Sequence, residues 1–149
     1  MAKLNIAAAP ISEGSDYPAP FDMPCRNKLR RRLAKAAGLS RLGVNLLELQ
    51  PGAWSSQRHW HTEEEEFVYV IEGEVVLVGT AGEEILRAGD CAAFPPGEAH
   101  SHHLQNRSTG LVRVLEIGSA NLRDDECHYP DIDLHATAVG YFRKDGTSY

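Results

Sequence analysis

Two histidines one residue apart, His59 and His61, precede a run of four glutamates, Glu63 to Glu66. On an extended backbone, successive side chains alternate between faces. His59 and His61 therefore point one way and Trp60 the other. Two imidazoles on one face, with a carboxylate close behind, make half of a metal site, because divalent transition metals accept these donors. Further along comes a second histidine group, His100-Ser101-His102-His103. A complete site needs a fold that returns this group to the first pair.

The elements between them read as short strands. Val44 to Leu49 is a mostly apolar run stopped by Pro51-Gly52, and Phe67 to Ile71 is rich in β-branched and aromatic residues. Glu72-Gly73 makes a tight reversal into Glu74 to Val78, its hairpin partner. Shorter strands are expected at Glu83 to Leu86, Cys91 to Phe94 and His100 to Gln105, then a strong one at Leu111 to Ile117 and a last one at Tyr141-Phe142-Arg143. Short strands separated by turn signals indicate an antiparallel sandwich or barrel. Residues 28–38, with Leu29 and Leu33 one helical turn apart and Gly38 as a stop, favour a helix on propensity. Residues 1–25, with Pro10, Pro18, Pro20 and Pro24, read as an extended arm.

Composition excludes several classes. The 149 residues, 42% hydrophobic and 24% charged, suit one soluble domain. The division expected is an arm and lead-in at 1–40, a barrel core at 41–120, and a C-terminal extension packed on it at 121–149. A net charge of −6 argues against nucleic acid, which is held by clustered cations. The one basic cluster, Arg26 to Arg32, reads as a solvated or locally paired face. Three scattered cysteines, Cys25, Cys91 and Cys127, do not suit a disulfide framework, so a reducing cytoplasm is expected. Cys91, in an apolar strand, reads as a small core residue. No long apolar run predicts a membrane span.

Two patterns in order resemble the cupin superfamily. The first reads Gly52, six residues, His59-Trp60-His61, four residues, Glu66, six residues, Gly73, and departs from the family outline by one residue in its first gap. The second reads Gly89, five residues, Pro95-Pro96-Gly97. After it two registers compete: counting from the Pro-x-Gly gives His100, and counting back from Asn106 gives His102. His102 is preferred, since alternation puts it with Leu104 on one face and a longer turn after Gly97 costs little. His103 then points away. The resemblance spans about residues 43–118.

It implies an all-β fold, an antiparallel β-sandwich or jelly-roll barrel with an extended N-terminal arm, holding one divalent metal. The implied ligands are His59, His61, Glu66 and His102, with His100 the alternative fourth. Glu66 has the spacing to Gly73, and Glu65 is the runner-up. Three imidazoles and a carboxylate suit Mn, Fe, Co, Ni, Cu or Zn, and on an octahedral ion leave two positions for substrate or O2. Gln57 and Ser55 are candidate supports for the imidazoles. The implied function is metal-dependent chemistry on a small organic molecule, oxygenase-type first, with isomerase or lyase chemistry behind it. The other reading is a non-catalytic ligand-binding or sensor barrel. Trp54, Trp60, His128 and His135 read as structural. A homodimer is expected, because exposed sheet edges invite pairing.

Overall fold

In the computed structural model, which describes residues 3–149, thirteen strands form three antiparallel sheets. In chain order they are β1 (Ile11–Glu13), β2 (Lys28–Arg32), β3 (Leu42–Leu49), β4 (Trp60–His61), β5 (Glu66–Glu72), β6 (Glu74–Gly79), β7 (Gly82–Arg87), β8 (Cys91–Phe94), β9 (His102–Gln105), β10 (Val112–Ser119), β11 (Cys127–Tyr129), β12 (Leu134–Thr137) and β13 (Gly140–Phe142). The largest sheet runs β1-β2-β3-β10-β5-β8, a second β13-β12-β11-β4, and a third β7-β6-β9.

The core lies between the first and third sheets. Alternate residues of β3, β5 and β10, among them Leu47, Leu49, Val70, Val112 and Val114, face Val75, Leu86 and Leu104 of the opposing sheet, all buried. The period of two along each strand makes this face apolar. Gly73, between β5 and β6, has φ +83°, and a Cβ there would press on the Val112 side chain and the Leu111 carbonyl. Only glycine meets both demands cheaply. Asn106, 1% exposed, ties the β9–β10 turn by donating to the carbonyls of Leu49 and Gly110, both at 2.8 Å. No helix among the described residues is long and apolar enough to cross a membrane.

The N-terminal segment is extended, and it joins the sheet rather than lying loose. The helix expected over 28–38 shrinks to one turn, α1 (Leu33–Ala36), which Gly38 follows at φ +71°. Lys28–Arg32 instead pairs with β3 on one side and β1 on the other. A helix would leave the edge of β3 unpaired, so ladder hydrogen bonds override a weak propensity. Cys91 also departs from expectation. It is exposed, on the outer face of the edge strand β8, where the apolar run no longer means burial.

Candidate metal centre

Backbone pairing assembles the cluster from distant parts of the chain. His59 and His102 form an antiparallel bridge, each N–H donating to the other's carbonyl at 3.1 and 2.8 Å. Their side chains therefore stand together, with ring centroids 5.0 Å apart. His61, two residues on, brings its ring to 5.1 Å from that of His59. Glu66 opens β5 and pairs across to Phe94 of β8. Phe94 in turn stacks flat on the His102 ring, at 3.4 Å and 3°. The Nε2 atoms of His102, His59 and His61 lie 3.2, 3.5 and 3.9 Å from Glu66 Oε2.

Each imidazole is held from behind through its Nδ1. That of His59 donates to the Gln57 carbonyl at 2.9 Å, and that of His102 to the His100 carbonyl at 2.9 Å. His61 Nδ1 donates to Asp125 Oδ2 at 2.6 Å. With Nδ1 carrying the proton, each Nε2 presents a lone pair to the carboxylate. Three lone pairs facing an anion repel, and protonating all three would bury a strong positive charge. A divalent cation relieves both problems, so the donor set fits a metal. With no cation between them, burial works against ionised Glu66, and it is protonation of His102 and His59, by hydrogen bonds and charge, that holds the group well below the usual carboxylate range.

The geometry separates the competing candidates. His102 faces Glu66, while His100 is exposed in a 3-10 turn at Glu98–His100 that absorbs the extra residues after Gly97. Glu65 is exposed and directed away. His103 points to the opposite side, edge-on to Trp54 at 4.7 Å, and burial lowers it to about 4. Gln57 supports His59 by its main chain, and its side chain donates instead to the Phe21 carbonyl. Ser55 Oγ accepts the Leu104 N–H, so it braces β9 rather than an imidazole.

Asp125 is a residue that sequence reading missed. It lies beyond β10 in an acidic stretch, Asp124-Asp125-Glu126, where nothing in the pattern distinguishes it. Its Oδ1 accepts the N–H groups of Glu63 and Glu64 at 2.9 and 3.1 Å, while its Oδ2 holds His61. Burial opposes its charge, yet these hydrogen bonds keep it below the ordinary aspartate range. Asp125→Asn should keep the fold and lower metal affinity about 10–100-fold, as loss of an outer carboxylate partner does. Competition titration with a chromophoric chelator measures this, and an unchanged affinity would show that the contact does not tune His61.

A cavity of about 300 Å³ joins the cluster to the inner face of β2. Cys127 and Tyr129 of β11 and Tyr17 of the N-terminal segment line it. Burial pushes the Cys127 thiol up, so it stands as a neutral wall group. The basic cluster shows the local pairing expected of it at two positions and departs from it at Lys28. Arg26 pairs with Asp22, and Arg30 forms a two-pronged pair with Glu116 at 2.7 and 2.9 Å. Lys28 is 7% exposed and donates to the Ser55 carbonyl at 2.6 Å, its ammonium 5.9 Å from the Tyr17 ring centre. Among the described residues no carboxylate lies within salt-bridge distance of it. Burial lowers it from 10.5 to about 8, with the Arg30 charge adding to the effect.

Comparison with known proteins agrees with this architecture. The family model described as a cupin domain matches residues 45–118. A crystal structure from Silicibacter pomeroyi DSS-3, described as a sugar phosphate isomerase from a cupin superfamily, is 39% identical, with a TM-score of 0.91 over 99% of this chain and 96% of that one. The chain belongs to the cupin superfamily. A second match, a structure from Acidithiobacillus ferrooxidans ATCC 23270, is 30% identical, covers 77% of this chain and 74% of that one, and has a TM-score of 0.71. A polyketide cyclase from Streptomyces resistomycificus, 21% identical with a TM-score of 0.66 over 81% of this chain and 80% of that one, shares the fold. No curated protein matches the sequence. In this cupin the conserved-barrel patterns lie within β3 to β10, whereas Lys28, Asp125 and Cys127 come from the flanks.

Proposed function

We propose that this cupin is a metal-dependent isomerase that interconverts aldose and ketose forms of a small sugar phosphate. The observation that carries the reading is Lys28, a buried cation without a carboxylate partner among the described residues, lining the same cavity as the three histidines and Glu66. A buried charge of that kind is costly unless an anion joins it. A phosphoryl group is such an anion, and a sugar phosphate carries it together with a carbonyl for the histidine–glutamate cluster that lines the same cavity. The Silicibacter pomeroyi relative, similar over nearly its whole length, supports the same substrate class.

A divalent ion held by His59, His61, His102 and Glu66 would supply Lewis-acid polarisation of a carbonyl and its neighbouring hydroxyl. The chain's own groups do the rest. Lys28 Nζ, held by the Ser55 carbonyl, takes the anionic end of the substrate. Arg30 is neutralised by Glu116, which leaves Lys28 as the buried cation free to bind among the described residues lining the cavity, Arg32 being exposed. Burial raises the Tyr17 and Tyr129 hydroxyls, so both stay protonated as donors along the wall. Isomerisation moves the proton of the hydroxyl-bearing carbon to the former carbonyl carbon and the hydroxyl proton to the former carbonyl oxygen, and needs no oxidant. Glu66 is ionised but serves as base only when it leaves the cluster.

The oxygenase expectation rests on the family resemblance and the donor set it implies, and that set serves isomerisation equally. Incubating metal-loaded protein in D2O with a panel of aldose and ketose phosphates tests the proposal. The expected result is interconversion with deuterium at the carbon beside the carbonyl and no O2 uptake. O2 consumption with catechols, diketones or sugar acids would replace it with oxygenase chemistry. Saturable binding without turnover would favour the non-catalytic barrel.

A further inference from the structure

We propose that Glu126, His128 and His135 form a second divalent-metal site, of the zinc class, on the outer face of the β4–β11–β12 sheet. His128 of β11 and His135 of β12 stand directly opposite each other in the strand register. Their rings stack at 4.6 Å and 14°. Both Nε2 atoms aim at one oxygen, Glu126 Oε2, at 3.3 and 3.1 Å. A tetrahedral zinc ion with its usual bond lengths separates neighbouring donor atoms by about 3.4 Å. Both nitrogen–oxygen distances therefore already match the spacing a metal requires, and all three donor atoms lie within 4.8 Å of one another. Two imidazoles and a carboxylate suit zinc, and also cobalt, nickel or copper.

The site is separate from the cavity. Cys127 pairs with His61, and His128 pairs with Trp60, in the β11–β4 ladder. Side chains alternate along a strand, so His61 and Cys127 face inward while Trp60 and His128 face outward. Trp60 stacks on the far side of His128 at 4.4 Å and 18°, fixing that ring. His128 and His135 are half-buried, and the depression they share with Glu98 and Lys144 is open to solvent, leaving room for a water as the fourth ligand. A metal here would clamp β12 to the strand that carries Cys127 and Tyr129, and so stiffen the wall of the catalytic cavity from outside.

Counting zinc on the full chain decides the matter. Protein equilibrated with a modest excess of zinc and desalted should hold one zinc fewer per chain in Glu126→Gln than in wild type. Glu126 lies outside the strands, so this change leaves the backbone pairing intact. His135→Ala should give the same loss, and both should abolish the part of the zinc-induced rise in Tm that survives in His59→Ala. Equal zinc content in wild type and Glu126→Gln would overturn the site, whatever the inner cluster binds.

Discussion

Loaded with a divalent metal at the inner cluster, the cupin should lose it in His102→Ala and keep it in His100→Ala. The two histidines are two residues apart, and the sequence patterns admit either. Their surroundings differ completely. The His102 ring stacks on Phe94, hydrogen-bonds through Nδ1 to a carbonyl, and points Nε2 at Glu66 at 3.2 Å. His100 is exposed, and only its main-chain carbonyl reaches the cluster, as the acceptor for His102. Removing a direct donor should weaken affinity by more than the about 10–100-fold that loss of an outer partner costs. Elemental analysis of protein purified without chelator gives the answer, performed in a Glu126→Gln background so that the outer cluster does not enter the count. Melting the metal-free proteins separates metal loss from unfolding. Metal lost from His100→Ala and kept in His102→Ala would reverse the assignment, and full metal in a His59→Ala, His61→Ala double variant would remove the site altogether.

Lys28→Met should make the protein more stable and at the same time disable it. The folded state lowers Lys28 from 10.5 to about 8, mainly by burial. Below pH 8 both states carry the proton, and the folded state bears the full cost of burying it, about 3 kcal/mol. The lost hydrogen bond to the Ser55 carbonyl offsets about 1 kcal/mol of the gain from methionine. A net stabilisation of about 2 kcal/mol at pH 7 is expected, read as a shift in denaturation midpoint. Between pH 8 and 10.5 the unfolded chain binds more protons than the folded one, so wild-type stability gains on the variant as pH rises, and the gap narrows. Affinity for inorganic phosphate or a sugar phosphate should fall about 100-fold, the order expected when a buried charged contact is lost. A stabilised variant that binds the anion normally would place the phosphate elsewhere. A destabilised variant would mean that the ammonium is compensated within the fold.

The contrast between these residues shows what the sequence could carry. The paired histidines, Glu66 and Gly73 were legible because strand geometry turns spacing directly into facing. A residue two along is on the same side, and a glycine at φ +83° marks the reversal. The barrel was legible for the same reason, since short apolar alternations with turns between them leave few other folds. His102 was only half legible. Whether the chain after Gly97 runs straight into a strand or first makes a 3-10 turn depends on how that turn packs, which local pattern does not state.

The N-terminal misreading has the same root. Residues 28–38 have the composition of a helix, and the basic cluster Arg26 to Arg32 reads as a solvated or locally paired face. Pairing with β3 made Lys28–Arg32 a strand, and that placed Lys28 inside the cavity. Asp125 and Cys127 lie where no periodicity operates, and become part of the site only because β11 pairs with β4. The outer histidines, His128 and His135, read as unmatched residues until β11 and β12 set them opposite each other. The sequence by itself thus determined the barrel and the core of the inner donor set, because both are written in local spacing. Tertiary structure alone decided which charge is buried, which acid holds His61 and which histidines meet, because those depend on contacts between segments far apart in the chain.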